Sequence, residues 1–248
     1  MSEKIRIDYY GMMTLDGKPQ GKGIIKWSDG HKYEGEVSNI DGNAIRHGHG
    51  KMIFPANEKY PEGMKYIGEW KNDKQEGQGK FIWIGLAEIN GEYKKGLPNG
   101  YGEQIYYTHG GKYSGTFKDG LKEGKGTLTF PNGQTYTGDW VSDIRHGNGK
   151  MKYADGVEYE GEFQNNQRHG KGKQNNPEAG VYVGEFEFNQ YNGYGTLTFD
   201  DGRKILGNWK NAIPVGQMSL INKDGTSKEA LWDDGNGKYI YIDKGKEN

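Results

Sequence analysis

Tyr159-Glu-Gly-Glu-Phe163, followed after four intervening residues by Arg168-His-Gly-Lys-Gly172, is the stretch that decides the fold of this chain. It opens with an aromatic-x-Gly-x-aromatic pentapeptide that returns about every 23 residues along nearly all of the 248 residues. A fixed period of this length is typical of a stacked repeat array. The central glycines of the successive pentapeptides are Gly11, Gly35, Gly68, Gly91, Gly115, Gly138, Gly161, Gly184 and Gly207.

Each repeat contains two short runs in which large and small side chains alternate. In the pentapeptide that starts at Tyr136, residues Tyr136, Gly138 and Trp140 are two apart and would share one face of a strand. The second run, Gly147-Asn-Gly-Lys-Met-Lys-Tyr153, alternates in the same way. Alternation with a period of two indicates half-buried strands and argues against helices.

Turn signals separate the runs. Polar connectors such as Lys71-Asn-Asp-Lys-Gln-Glu76 lie between the two runs of a repeat, and an Asp-Gly or Asn-Gly pair, such as Asp155-Gly156, follows the second run. Such pairs between alternating runs are strong hairpin signals. Glycine inside a strand marks close approach of another group, so we expect the aromatic rings to lie flat over bare backbone. The predicted fold is all-β: an elongated, twisted, single-layer antiparallel meander of roughly 18 strands.

The repeat resembles the MORN repeat (membrane occupation and recognition nexus), and Tyr159 to Gly172 resembles its consensus. The resemblance covers about residues 9 to 220, in about nine β-hairpin repeats, and implies an aromatic-lined groove and a scaffold function. We expect an array at residues 1–220 and a C-terminal capping hairpin and tail at 221–248. Insertions at 39–44 and 56–63 make 39–63 irregular: the first is expected to lengthen a turn and the second a connection.

Composition excludes several classes of protein. The net charge is −1, with 33 basic and 34 acidic residues, so the concentrated basic surface that nucleic acid binding needs is not expected. The sequence predicts no transmembrane segment and no signal peptide. There is no cysteine, which fits the cytoplasm. Because the chain begins with Met1 and ends in a charged tail, we expect it to be complete.

No motif indicates catalysis, a metal or a cofactor. Gly-Lys-Gly tripeptides at 21–23, 124–126 and 170–172 lack the following helix that a phosphate loop needs. His47, His146 and His169 each precede the first glycine of the Gly-x-Gly signal, which favours a role in the repeat over metal binding. The acids, such as Glu162, mostly occupy positions expected to face solvent. We therefore expect a protein that is not an enzyme.

The aromatic positions of the regular repeats are the candidate site. They either cover strand glycines or form a groove that accepts an extended or helical partner segment, and both roles stay open. We place the open stretch of this groove where the repeats are most regular. Its residues are Tyr113, Phe117, Tyr136, Trp140, Tyr159, Phe163, Tyr182 and Phe186. The glycines expected to be structural are Gly68, Gly91, Gly115, Gly138, Gly161, Gly184 and Gly207.

The resemblance implies a cytoskeletal scaffold whose partners are other protein subunits, including a second copy of the chain. MORN arrays without a catalytic domain are found among the radial spoke head proteins of motile cilia, and Asn211-Ala-Ile-Pro-Val-Gly216 is similar to the closing repeat of that group. One alternative is a scaffold close to membranes or phosphoinositides, as in junctophilin-like proteins, which the balanced charge does not favour. Another is a targeting module of a larger enzyme.

Overall fold

A computed structural model describes residues 6–233 and 236–242; the predicted charged tail, 243–248, lies outside the described residues. The chain divides into two compact units, Met1–Pro131 (unit 1) and Asn132–Asn248 (unit 2). All regular structure in the described ranges is β-strand, which confirms the predicted fold class. Across these ranges there is no helix long and apolar enough to cross a membrane.

Unit 1 is a meander of ten strands in which each strand pairs antiparallel with the next one along the chain. Consecutive pairing follows from the short connections, since a short turn can join only antiparallel neighbours. The strands are β1 (Arg6–Met13), β2 (Pro19–Trp27), β3 (Lys32–Ile40), β4 (Asn43–Phe54), β5 (Met64–Lys71), β6 (Lys74–Trp83), β7 (Ala87–Lys94), β8 (Leu97–Tyr106), β9 (Lys112–Lys118) and β10 (Leu121–Thr129).

Unit 2 repeats the same arrangement with ten further strands, again paired in chain order. They are β11 (Thr135–Val141), β12 (Ile144–Lys152), β13 (Glu158–Gln164), β14 (Gln167–Asn176), β15 (Gly180–Glu187), β16 (Gln190–Thr198), β17 (Lys204–Lys210), β18 (Ile213–Ile221), β19 (Ser227–Asp233) and β20 (Lys238–Tyr241). The last two strands form a hairpin where the sequence predicts the terminal cap.

The two strands of a repeat are joined by a two-residue turn in the left-handed backbone region. Between β13 and β14, Asn165 and Asn166 have φ angles of 50° and 69°. A turn with both residues at positive φ matches the right-handed twist of the flanking strands. Equivalent turns contain Phe188 at 48° and Ala212 at 65°. Tertiary pairing therefore holds even residues that rarely adopt this conformation.

The Asp-Gly and Asn-Gly pairs lie in the wider loops that connect one repeat to the next. In the loop after β12 only the glycine of the pair, Gly156, has a positive φ, at 87°. The loop is closed by the Tyr153 N–H, which donates to the Val157 carbonyl at 2.8 Å. This is the geometry of a three-residue hairpin loop, which ends in a left-handed residue.

The first glycine of each Gly-x-Gly signal sits in a β-bulge. Gly138 pairs with Gly149 and Trp140 pairs with Arg145, so three residues of β12 lie opposite a single residue of β11. Gly147, in the middle of these three, has a φ of 72°. A bulge sharpens the local twist of a strand. The second glycine instead stays in the regular ladder, so the two glycines of the signal have different roles.

The insertion at 39–44 lengthens the two strands of its hairpin but not the turn between them. Asn39 pairs with Ala44 and Ile40 with Asn43, and the turn contains only Asp41 and Gly42. The expectation of a longer turn was wrong, because the added residues can continue the ladder on both strands. The second insertion does lie in a connection, in the loop 55–63 between β4 and β5.

Candidate functional site

The tyrosine that opens the pentapeptide is buried and lies over the paired glycines. Tyr136 is 1 % exposed, and its hydroxyl donates to the main-chain carbonyl of Asp139 at 2.9 Å. Burial raises the pKa of Tyr136 to about 12, because the phenolate would be poorly solvated there. The same hydroxyl-to-carbonyl bond, spanning three residues, is made by Tyr33, Tyr66, Tyr113, Tyr159 and Tyr182.

The strand glycines leave no room for a side chain. A Cβ placed on Gly138 would lie 2.5 Å from the Cα of Gly149, and one on Gly149 would lie 2.6 Å from the Tyr136 ring. Non-bonded carbon atoms are normally about 3.5–4.0 Å apart, so a side chain at either position would force the strands apart. A nearest heavy atom at 2.3 to 2.5 Å is common to Gly68, Gly91, Gly115, Gly138, Gly161, Gly184 and Gly207.

The eight candidate groove residues pack together within their own units; we call them the central aromatic row. In unit 1 the Tyr113 and Phe117 rings meet edge to face at 5.2 Å. In unit 2 the Phe163 ring contacts both Tyr136 and Tyr159, each at 5.1 Å. Edge-to-face contacts of this kind stabilise aromatic clusters beyond the burial of their surface. The rest of the unit 2 row is Trp140, Tyr182 and Phe186.

The central aromatic row does not present open ring faces. Each of the eight residues is 4 % exposed or less, because neighbouring rings and side chains cover it. The pattern within one repeat does not reveal this cover, because the covering side chains come from neighbouring repeats. Partner binding along the row stays a prediction.

Two arginines in unit 2, Arg145 and Arg168, cover rings of the row and tie their own hairpin to the next one, and Arg46 ties two hairpins in unit 1. The main-chain N–H and the Nε–H of Arg145 donate to Asn166 Oδ1 at 3.0 and 3.3 Å, and its Nη2–H donates to the Asn166 carbonyl at 3.0 Å. The guanidinium also lies 5.5 Å from the centre of the Tyr136 ring, which is within cation–π range. Arg46 makes the same three bonds to Asp73, and Arg168 makes the main-chain and Nη2 bonds to Asn189 but not the Nε bond.

The acid in the pentapeptide also has a structural role that the sequence analysis missed. The carboxylate of Glu162 accepts a hydrogen bond from the Lys171 main-chain N–H at 2.8 Å, next to the bulge at Gly170. Asp139 accepts from the Asn148 N–H in the same way, at 3.0 Å. These acids are on the solvent face, as expected, but they satisfy a backbone donor that the bulge leaves without a ladder partner.

In the seventh repeat a buried polar side chain takes the place of the apolar side chain found in the preceding repeat. Gln174 takes the position held by Met151 in the preceding repeat and is 8 % exposed. Its Oε1 accepts from the Arg168 guanidinium, and its Nε2–H donates to the Tyr191 hydroxyl at 3.0 Å. The Tyr191 ring in turn stacks on Tyr182 at 3.7 Å. A buried amide is tolerated here because it is hydrogen-bonded on both sides.

A second line of rings lies on the same sheet face in unit 1, at the ends of alternate strands. Its members are half-buried rather than covered: Trp27, Phe54, Trp83, Tyr106 and Phe130, which we call the outer aromatic row. None of these rings was among the candidate site residues of the sequence analysis. The available signal was the aromatic residue that ends the second run of most repeats.

The opposite face of the sheet carries paired charges. Lys80 Nζ lies 2.8 Å from Glu88 Oε1, and Tyr107 donates to the other carboxylate oxygen at 2.6 Å. The hydrogen bond from Lys80, followed by that from Tyr107, lowers the pKa of Glu88. In residues 6–233 and 236–242 no three His, Asp or Glu side chains are grouped so that they could hold a metal ion. The charges of this face are therefore balanced locally between neighbouring strands.

Comparisons with known proteins give short or weak matches over this chain. A segment of 93 residues is 31 % identical to Alsin from Homo sapiens and equally to Alsin from Mus musculus. It covers 38 % of this chain but only 5 % of Alsin, so the chain spans a small part of that relative. The TCP domain of SAS-4 from Drosophila melanogaster aligns over 91 % of this chain and 88 % of its own, at 11 % identity and a TM-score of 0.30. That TM-score is too low to support an argument about fold or function.

The family comparison agrees with the hairpin register. The model of the MORN repeat matches eight segments that together cover more than half of the chain. They are residues 15–32, 43–58, 66–84, 90–110, 113–135, 136–158, 159–174 and 182–202. Five of the matches begin at the opening tyrosine of a pentapeptide, at Tyr66, Tyr113, Tyr136, Tyr159 and Tyr182. This chain belongs to the MORN repeat family.

Proposed function

We propose that this chain is a non-enzymatic scaffold that holds protein subunits in a large cytoskeletal assembly, the radial spoke head of the ciliary axoneme. The observation that carries the proposal is the repetition of one hairpin geometry. The same tyrosine hydrogen bond recurs in seven repeats, including the one from Tyr9 to the Met12 carbonyl, so each unit offers equivalent positions at a regular interval. MORN repeats are generally scaffolds, which supports the same conclusion.

The choice of the ciliary assembly rests on the closing repeat. Asn211 to Gly216 resembles the last repeat of the radial spoke head group, and in this chain it forms the turn and first residues of β18. Cytoplasmic and cytoskeletal localisation at the axoneme follows from this assignment. Contact between a partner and the central aromatic row, from Tyr113 to Phe186, is part of the proposal.

The test is a pull-down from a lysate of ciliated cells, with bound proteins identified by mass spectrometry. The matched control is the same bait carrying Gly115→Val and Gly161→Val, which disrupts one hairpin in each unit. We expect axonemal spoke proteins with the native bait and their loss with the control. Recovery of membrane vesicles without spoke proteins would contradict the proposal and favour a membrane-proximal scaffold.

One observation favours a second candidate, a MORN module within a longer protein. Alsin is far longer than the segment that matches this chain, because that segment makes up only 5 % of the length of Alsin. An antibody raised against residues 132–220 separates the two candidates on an immunoblot of cell lysate. A band near 27.9 kDa supports the free scaffold, and a band several times heavier supports the module.

A further inference from the structure

We infer that the outer aromatic row of unit 1 binds a proline-rich segment in the polyproline II conformation, with a basic residue beside the loop 55–63. The inference names one partner class for the scaffold proposed above and rests on that proposal. It concerns a surface different from the central aromatic row.

The first step is the alignment of the rings. Phe54 pairs with Met64, which pairs with Trp83, then Ala87 and then Tyr106, so the five side chains lie at one level across five consecutive strands. Rings therefore alternate with smaller or more flexible side chains on one face. Between Trp83 and Tyr106 the intervening residue is only an alanine, so we place a slot there between the Trp83 ring and the Tyr106 ring, which is itself stacked on His109 at 4.8 Å.

The second step is the spacing of the slots. Neighbouring strands are about 4.8 Å apart, so rings on alternate strands recur about every 9.6 Å. A polyproline II helix has three residues per turn and rises about 3.1 Å per residue, so its repeat is about 9.3 Å. Prolines three residues apart would enter successive slots, one over Met64 and the next over Ala87. Neither a helix nor a regular strand has this repeat.

The third step is the supply of hydrogen-bond donors. Aromatic grooves that bind polyproline II segments combine ring contact with donors to the ligand's exposed carbonyls. The indole N–H groups of Trp27 and Trp83 have no hydrogen-bond partner among the described residues, whereas the buried Trp70 donates to the Gly50 carbonyl at 3.2 Å. Both indoles are half-buried, and neither Nε1 atom is among the fully buried side-chain nitrogens that lack a partner, so both N–H groups retain access to solvent.

The fourth step is the charge around the row. Loop 55–63 carries two exposed acids, Glu58 and Glu62, and neither forms an ion pair within the part of the chain that the structure describes. Glu62 lies beside the turn that follows Trp83, since a Cβ on Gly85 would be 3.5 Å from its carboxylate. Lys59 is held over the Tyr60 ring, at 5.2 Å.

Basic groups lie on both sides of this loop along the row. Lys122 Nζ lies 5.8 Å from the centre of the Tyr106 ring, and the Arg46 guanidinium lies 5.6 Å from the centre of the Trp27 ring. The two acids of the loop 55–63 are therefore the acidic part of the row, beside Phe54 and Trp83. A ligand with an arginine beside the loop 55–63 is complementary to this distribution.

The rings beside the loop 55–63 form a connected cluster that would hold their positions. His31 meets Phe54 at 5.5 Å, Phe54 meets Phe81 at 5.6 Å, and Phe81 meets Trp83 at 4.6 Å. Pro55 packs close to the neighbouring loop, 3.5 Å from a Cβ placed on Gly30. A surface that is already ordered loses little entropy when a ligand binds.

The test is calorimetric titration of the full chain with a synthetic peptide of two arginines followed by three Pro-Pro-Ala triplets. One control peptide has glycine in place of every proline, and a second has glutamate in place of both arginines. We expect saturable binding of the first peptide and at least about tenfold weaker binding of each control. Equal binding of the glycine peptide, or no binding of the first peptide, would overturn the inference.

Variants locate the site. Trp83→Leu and Ala87→Leu should each weaken binding at least about tenfold, the first by removing a wall and the second by filling the slot. Phe199→Leu, at the equivalent strand end in unit 2, is the matched control and should leave the affinity unchanged. The double variant Glu58→Gln with Glu62→Gln should weaken binding about threefold, and this loss should be smaller at high salt. The control Glu178→Gln should leave the affinity unchanged.

Circular dichroism of each variant shows that the array is folded. A folded Trp83→Leu variant that binds like the Phe199→Leu variant would place the peptide elsewhere and overturn the inference. The scaffold proposal and the proline-rich site can fail independently. If the pull-down still recovers spoke proteins while the peptide does not bind, only the proline-rich site is wrong.

Discussion

The two units share one hairpin plan but differ in what lies over it. Unit 1 has the complete outer aromatic row and the loop 55–63, whereas in unit 2 the equivalent strand ends read Tyr153, Asn176, Phe199 and Asn222, so the row is interrupted twice. Unit 2 instead has two of the three arginine connections. The covered rings and the strand glycines are present in both units, so they are the part of the repeat that builds the array. The outer positions differ between the units and can therefore vary with function.

The largest expected effect tests whether the central row is more important for folding than the outer row. Trp140→Ala with Phe163→Ala removes two covered rings that both contact Tyr136, and should lower the free energy of unfolding by about 5 kcal/mol or more. Trp83→Ala with Tyr106→Ala removes half-buried rings and should cost about half as much. Urea denaturation measures both variants.

The same central variant also tests partner binding along that row. Circular dichroism must first show that the double variant is folded. If the folded variant still captures every native partner at unchanged affinity, the central groove is not a binding site.

The next effect tests whether the two units respond alike at their glycines. Gly68→Val in unit 1 and Gly161→Val in unit 2 would each place a Cβ 2.4 or 2.5 Å from the Cα of the paired glycine. Each should destabilise the chain by about 3 kcal/mol, since backbone cannot move aside as a flexible side chain can. The control is Glu160→Val, on the solvent face of the same strand as Gly161, which should change the melting temperature little. Equal melting temperatures for Gly161→Val and Glu160→Val would contradict the packing of rings over glycines.

A smaller effect concerns the arginine connections. Arg145→Lys keeps the charge but loses the planar group that spans Asn166 and the Tyr136 ring, and should cost about 1–2 kcal/mol. Arg46→Lys should cost a similar amount in unit 1. The matched control is Arg203→Lys, whose side chain is 63 % exposed and pairs with Asp201 on the surface. Identical unfolding midpoints for the Arg145→Lys and Arg203→Lys variants would show that the connection adds no stability.

The smallest effect concerns the tyrosine hydroxyls and depends on pH. Tyr136→Phe loses one hydrogen bond to a carbonyl and should cost about 1 kcal/mol at neutral pH. The pKa of Tyr136 is raised to about 12 in the folded chain, above the ordinary value near 10. Its contribution is therefore fully present below about pH 10 and is lost as pH rises through about 12.

The wild-type chain and the Tyr136→Phe variant should consequently approach each other in stability between about pH 10 and pH 12. Denaturation curves at several pH values in this range measure the difference. A difference that stays constant up to pH 12 would show that the hydroxyl does not keep its proton in the folded state.

Much of the fold could be predicted from the sequence, because a period of two within a repeat and of about 23 between repeats are both local signals. What could not be predicted depends on contacts between hairpins. The Arg145–Asn166 connection joins residues 21 apart and requires the register of two hairpins. The positive φ of Phe188 and Ala212 is imposed by strand pairing and not by residue type. The cover over the central row likewise comes from neighbouring repeats.

The arginine connection also limits how such a chain can change in length. Arg145 bonds Asn166 and Arg168 bonds Asn189, and in both cases the acceptor is the second residue of the following tight turn. Removal of residues 159–181, which is one whole period, would place Asn189 at the position of Asn166. There it could accept the same hydrogen bonds from Arg145. Removal of one residue more or fewer would shift every following side chain to the other face. Length in this array is therefore expected to change in whole hairpins, and a gene encoding it can gain or lose a repeat without redesigning its neighbours.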